Sequence, residues 1–210
     1  MNSTKALEML NNGKIEDLKK ALQDDIYAES LKRVPGAKQR YAAMKRYFKY
    51  SSTARESLMR PCKVVVEGED YTSFCNSYSL VLTVEDTGEM QLFDESMGTY
   101  PDVARLIFFD GKEGEIDFNK VFAEAKSKGY KLKQNEVNGQ AHFYMHYQGA
   151  YYKIGLIDIS YNIINDGKPA TAYKKEGPYQ KLTVTSDYGT AVIMPVRLEQ
   201  DPEECEVIFV

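Results

Sequence analysis

An apolar run that ends in a Met-Pro pair, close to the end of the sequence, is the feature that most restricts the fold. Residues 190–198 read Thr-Ala-Val-Ile-Met-Pro-Val-Arg-Leu. The first residues are typical of a strand, and Pro195 has no backbone N–H to donate to a neighbouring strand. We therefore expect an edge strand or a strand end with an exposed apolar rim beside Arg197. Such a rim suits peptide recognition better than catalysis.

The composition is that of a globular chain. Its 210 residues are 43% hydrophobic and 28% charged, enough to bury a normal core in one large or two small domains. Apolar runs are too short to span a bilayer, and the N-terminus continues as an amphipathic pattern unlike a signal peptide. The three cysteines lie far apart without a CxxC pair, which indicates free thiols. We expect a cytoplasmic protein that does not enter membranes.

The charge is distributed unevenly along the chain. Residues 1–60 hold 13 Lys and Arg against 7 Asp and Glu, a balance of +6, whereas the other residues carry −10. Clustered cations can mark contact with nucleic acid, because they release counterions from phosphates. A solvated helix face explains the same cations equally well.

The strongest helical pattern covers residues 37–50, where apolar residues recur every three or four positions with cations between them. This basic amphipathic helix is the best candidate for contact with DNA. Its candidate contacts are Lys38, Arg40, Lys45, Arg46 and Lys49.

The remaining patterns predict a mixed chain. Helical segments are expected over residues 4–11, 14–23 and 117–128, the last with Asp117 as N-cap. Strands are expected over residues 63–67, 71–84, 89–93, 105–109, 141–147, 151–157, 181–185 and 191–198. Residues 159–165 are ambiguous, with Ser160 as a candidate helix cap. The order predicts an α+β fold with helices packed on one face of antiparallel sheets.

Motifs that carry chemistry are absent from the sequence. His142 and His146 have the spacing of a helical metal pair, but they lie in a run of strand-forming residues without an acidic neighbour. Residues 110–117 contain acids but lack the ligand pattern of a calcium loop. There is no Walker loop, GxGxxG or GxSxG. We therefore expect a protein that is not an enzyme, with no catalytic residues, no bound metal and no cofactor.

Three segments, in order, resemble the bacterial DNA polymerase III β sliding clamp family. Residues 191–198 are similar to its C-terminal signature, in which a valine pair precedes Met-Pro-Met-Arg-Leu. Residues 98–107, Gly-Thr-Tyr-Pro-Asp-Val-Ala-Arg-Leu-Ile, are similar to the opening of its third domain, and residues 154–161 to a strand-to-helix passage in that domain. More weakly, residues 44–48, 63–70 and 76–80 resemble the first half of its middle domain. There Asn76, Ser77 and Ser79 replace Asp, Gly and Arg of the family pattern.

The resemblance implies a DNA-clamp-like fold and a binding function. In the family, these segments converge on an apolar cleft that binds short linear motifs of DNA polymerases and repair proteins. The residues that match the cleft are Tyr78, Leu80, Pro101, Leu106, Val192, Met194, Pro195, Val196 and Arg197. The alternative is a small DNA-binding or regulatory α+β protein that contacts phosphates through its basic N-terminal helices.

The chain is shorter than a family member, which has three domains and closes a ring round duplex DNA as a dimer. It has room for about one and a half such domains: an N-terminal helical segment (1–36), a partial clamp-like domain (37–97), a third-domain-like domain (98–198) and an acidic, then apolar tail (199–210). Duplex DNA and a second copy of the chain stay open as partners. We hypothesise that Ile208 and Phe209 of the tail occupy the cleft of their own or of a neighbouring chain.

Overall fold

The structure is a computed structural model, and it describes residues 3–50, 55–131, 143–198 and 205–210. The helices in these ranges are α1 (Ser3–Asn11), α2 (Ile15–Ser30), α3 (Ala37–Tyr50), α4 (Phe118–Ser127) and α5 (Ile154–Tyr161). The strands are β1 (Cys62–Val66), β2 (Glu69–Cys75), β3 (Ser79–Thr83), β4 (Lys112–Ile116), β5 (Phe143–Tyr147), β6 (Ala150–Lys153), β7 (Ala170–Lys174), β8 (Leu182–Ser186), β9 (Gly189–Ile193) and β10 (Glu206–Phe209). The fold is α+β, as the sequence predicts.

Seven strands form one antiparallel sheet in the order β1-β2-β3-β9-β8-β7-β4. In its central pair, β3 and β9, Leu80 lies opposite Val192. The turn into β9 approaches β3 so closely that a Cβ on Gly189, at φ +144°, would lie 2.0 Å from the carbonyl oxygen of Leu82. Only glycine fits this approach. Because β3 pairs with β9, segments 37–97 and 98–198 contribute neighbouring strands to the same sheet.

The two central strands are buried on both faces. Val81 and Ile193 belong to the main core, whereas Leu80 and Val192, one position away, belong to a smaller cluster on the other face. This division follows from the period-2 alternation of side chains along a strand. It explains why both strands read as continuous apolar runs.

Helices supply the other half of the main core. Tyr47 from α3, Phe118 from α4 and Leu156 from α5 are buried there together with the sheet residues. The start of α4 is capped as predicted, since the Asp117 carboxylate accepts the backbone N–H of Lys120 at 3.2 Å. The expected packing of helices on one face of the large sheet is confirmed.

Helix α5 differs from the prediction. We expected a strand to residue 157 and a helical turn capped by Ser160, but the helix begins at Ile154 after Lys153. Each of its eight residues is buried. A helix that is buried on every side has no polar face, so its sequence lacks the 3.6-residue period and resembles a strand.

The face opposite the helices is covered by an irregular stretch, residues 100–109, which we name the covering segment. Val103 is buried in the smaller cluster, and the Tyr100 hydroxyl donates to the Ser73 carbonyl at 3.1 Å. The predicted strands over residues 89–93 and 105–109 are wrong. Residues in both ranges have the composition of a strand, but neither range joins the ladder of a sheet.

A second, three-stranded sheet has the order β10-β5-β6, with β10 parallel to β5. Ile208 of β10 is 1% exposed in the main core, and the Phe209 ring lies outside it, 5.2 Å from His146. The hypothesis that Ile208 and Phe209 fill the cleft of their own chain is therefore wrong, and their entry into the cleft of a neighbouring chain stays a prediction. The end of the tail, β10, forms instead an edge strand of the small sheet.

The Met-Pro pair lies where the chain leaves the large sheet. β9 ends at Ile193, and the Met194 N–H still donates to the Tyr78 carbonyl at 2.9 Å. Pro195 has no N–H, and the Val196 N–H donates to Tyr151 of β6 at 2.9 Å. The prediction of a strand end at this proline is confirmed, although the strand does not continue to residue 198.

Candidate peptide-binding cleft

An apolar cleft of about 360 Å³ lies beside the central strands β3 and β9. It brings together five of the nine residues predicted to bind peptide. These five are Tyr78, Leu80, Leu106, Val192 and Met194. Phe108 and Lys181 complete its sides, and residues 75–77 and Ser79 complete its lining. The cleft thus collects residues that are far apart in sequence.

The first wall is built by the turn between β2 and β3. The Asn76 side-chain carbonyl accepts the backbone N–H groups of Tyr78 and Ser79, each at 2.7 Å. An asparagine that bonds to the backbone two residues ahead fixes a tight turn. This turn presents the Tyr78 side chain, which is partly exposed, at the edge of the cleft.

The second wall is the end of β9. Val192 is buried at the base of the cleft next to Leu80, its partner across the β3–β9 ladder. Met194 is 43% exposed. A methionine has an unbranched and polarisable side chain, so this wall can adapt to different apolar groups.

The third wall is the covering segment. The Lys181 ammonium donates to the Leu106 carbonyl at 2.7 Å, and the Thr183 hydroxyl donates to the Phe108 carbonyl at 3.0 Å. These two bonds from β8 and the residue before it hold the segment against the sheet. Leu106 and Phe108 remain largely exposed, which is typical of a surface that binds a partner.

Lys181 is a site residue that the sequence did not indicate. Its ammonium lies 4.0 Å from the centre of the Phe108 ring, a cation–π distance. Burial lowers the pKa of this ammonium. Only the position of the covering segment reveals its role, because Lys181 is 75 residues from the carbonyl that it binds.

Four predicted cleft residues lie elsewhere. Pro101, Pro195, Val196 and Arg197 are absent from the cleft lining. The Arg197 guanidinium lies 4.9 Å from the Tyr179 ring, and Val196 is bonded to β6. The change of sheet after Met194 turns these last residues away from the cleft, so Lys181 supplies the cation in place of Arg197.

The predicted DNA-binding helix also needs a correction. Arg40 is 1% exposed, and its guanidinium binds Glu85 at 2.5 and 2.7 Å. It also lies 3.3 Å from the centre of the Tyr188 ring. Arg40 is therefore a core residue that DNA cannot reach. Lys45 pairs with Asp24 at 2.5 Å, whereas Lys38, Arg46 and Lys49 are exposed.

A second concave surface, of about 1000 Å³, lies between α3 and the ends of α4 and α5. Arg46, Lys126 and Lys131 line it, and none of the three forms an ion pair with another described residue. We name this surface the basic groove. Its acidic lining residues include Asp187, which pairs with Lys168 at 2.8 Å, and Asp158, which binds Tyr130 and Asn162.

The remaining candidates are metal ligands, thiols and membrane-spanning helices. Among the described residues, no cluster of three His, Cys, Asp or Glu side chains is suited to a metal ion. His146 lies on β5 against Tyr151, and His142 lies outside the described residues. Cys62 and Cys75 are free thiols, and burial raises the pKa of the Cys75 thiol in the cleft lining to about 11. None of the described helices has the length and apolar character needed to cross a membrane.

The fold and the cleft were compared with known proteins. Neither protein-family models, nor curated proteins, nor solved structures gave a match to this chain.

Proposed function

We propose that this protein is a non-enzymatic, sliding-clamp-like binding module. Its cleft would bind short linear motifs of DNA replication or repair proteins, in the cytoplasm. One observation carries the proposal: residues 76–80, 106–108 and 192–194, which resemble cleft segments of the clamp family or adjoin them, meet in a single apolar cleft.

The size and chemistry of the cleft support a peptide as its occupant. A volume of about 360 Å³ is at the lower end of the usual range for binding sites, roughly 300–1,000 Å³. It suits one or two apolar side chains of a segment that lies across the surface. Tyr78, Met194 and Leu106 are exposed apolar residues, so an apolar occupant would remove their surfaces from water.

The proposed relation to the clamp includes a rearrangement. The strand that resembles the middle domain, β3, pairs directly with the C-terminal strand β9. The two parts of the chain would thus form one clamp-like unit with one cleft. A ring would require further copies of the chain, and we leave a homo-oligomer as an outcome to be measured by light scattering.

Met194→Ala is expected to weaken binding of an apolar peptide about tenfold, because it removes one adaptable wall of the cleft. The measurement is fluorescence anisotropy with a labelled peptide that carries two neighbouring leucine or phenylalanine residues. Met59→Ala is the matched control, since Met59 is also 43% exposed and does not line the cleft. Equal loss in both variants, or no binding by the wild type, would refute the proposal.

Nucleic-acid binding is a second candidate function, and the basic groove favours it. Three cations that form no ion pair with another described residue converge there, from α3, from the end of α4 and from the residues after it. Cations in this arrangement bind phosphates by releasing counterions, and the affinity then falls steeply with salt.

The triple variant Arg46→Gln, Lys126→Gln and Lys131→Gln is expected to weaken binding of duplex DNA. It should reduce the slope of log affinity against log salt by about 2–3, roughly one for each lost phosphate contact. A control with the same charge change replaces Lys14, Lys20 and Lys112, which do not line the groove. If both triple variants lose affinity equally, the groove is not the binding surface.

A further inference from the structure

The charge of the described cleft lining is of one sign only, and it is positive. Its charged lining consists of one ammonium, that of Lys181, and none of its lining residues is acidic. The Asp110 carboxylate acts electrostatically on the Lys181 ammonium, but it already pairs with Lys175 at 2.5 Å. In a protein with a net charge of −4, the cleft is a local exception.

One buried donor in the cleft lining has no acceptor among the described residues. The side-chain carbonyl of Asn76 is fully used by the turn, but its Nδ2 group is buried without a hydrogen-bond partner among the described residues. An unpaired buried donor is costly. Of these two residues, Lys181 has the accessible donor, so the cleft favours an occupant that brings acceptor oxygens rather than donors.

We propose that the cleft selects apolar peptide segments that carry a carboxylate next to the apolar residue, and that Lys181 binds this carboxylate. The inference rests on the proposed peptide-binding function and names its ligand class. An ammonium has three donors, and one of those of Lys181 binds the Leu106 carbonyl. The others are available to an occupant that already contacts Leu106, Phe108 and Met194.

The position of Lys181 makes this pairing specific. Its ammonium contacts the Leu106 carbonyl and the Phe108 ring. Both of these groups belong to the covering segment, which forms the third wall. Because that environment is partly shielded from water, a charge pair is stronger there than on an open surface. The same shielding disfavours an occupant that brings a second cation.

The test uses labelled octapeptides with blocked ends, each with a Leu-Phe pair and a single aspartate before, within or after the pair. A matching set has asparagine at each of these positions, which keeps the shape and removes the charge. We expect the best aspartate peptide to bind the wild type roughly fivefold to tenfold more tightly than its asparagine counterpart.

Two variants of Lys181 complete the experiment. Lys181→Met keeps the apolar stem and should make the two sets bind equally, whatever the loss of its bond to the Leu106 carbonyl does to the affinity that both sets share. Lys181→Arg keeps the charge and should retain the preference, as should Lys112→Met, which removes a cation outside the cleft. Thermal unfolding of each variant establishes that it is folded.

The outcomes separate this inference from the proposed function. If the wild type binds both sets equally, the carboxylate preference is refuted and peptide binding stands. If the preference persists in Lys181→Met, another group binds the carboxylate and the inference is also refuted. If no peptide binds the wild type, both proposals fail.

Discussion

Replacing Arg40 by methionine is expected to lower the free energy of unfolding by about 3–5 kcal/mol. The substitution leaves the largely buried carboxylate of Glu85 without its partner and removes the stack on Tyr188. It also removes donors to the carbonyls of Pro35 and Asn165, at 3.3 and 3.4 Å. Arg40 joins α3 to the ends of β3 and α5, so its loss acts on three elements at once.

Urea denaturation followed by circular dichroism measures this effect. Lys38→Met is the control on the same helix, where an exposed lysine should change stability by less than about 0.5 kcal/mol. The double variant Arg40→Met and Glu85→Leu should recover part of the loss, because no buried charge is then left unpaired. A loss below about 1 kcal/mol in Arg40→Met would contradict the buried position of this guanidinium.

Ile208→Ala is expected to lower the free energy of unfolding by about 2–4 kcal/mol. The side chain is 1% exposed in the main core, and its truncation leaves a cavity between β10 and the helices. Glu206, two residues earlier, pairs with Lys128 after α4 at 3.4 Å. The tail therefore contributes to the core of its own chain.

Phe209→Ala is the matched control for this second experiment. Phe209 follows Ile208 on the same strand but is 73% exposed, so its truncation should cost less than about 1 kcal/mol. Similar losses in both variants, or no loss in either, would show that the tail does not dock against β5 in solution. Peptide binding by Phe209→Ala should be unchanged, since the tail does not line the cleft.

The predictions that succeeded rest on local patterns with a clear physical cause. Helix α4 has an apolar stripe and an aspartate cap, and helix α3 has apolar residues every three or four positions. The strands β2 and β3 are separated at Asn76, where a side-chain hydrogen bond fixes the turn.

The predictions that failed depended on where an element lies in the fold. Helix α5 could not be recognised, since complete burial removes the periodic signal. Residues 105–109 of the covering segment have the composition of a strand, but they pack against one face of the large sheet and do not join its ladder. Arg40 was grouped with exposed cations, although it lies four residues before Met44 and seven before Tyr47, on the buried stripe of α3.

The sequence alone determined the α+β fold class and a strand end just before Pro195, and it indicated five of the residues that line the cleft. These features follow from local propensity, from the missing donor of proline and from the resemblance to a family. Only the tertiary structure decided which cation faces the cleft, which arginine is buried and where the tail docks. Those outcomes depend on partners 45 to 75 residues away, such as Glu85 for Arg40 and Leu106 for Lys181. A local pattern carries no information about such partners, because packing of the whole chain selects them.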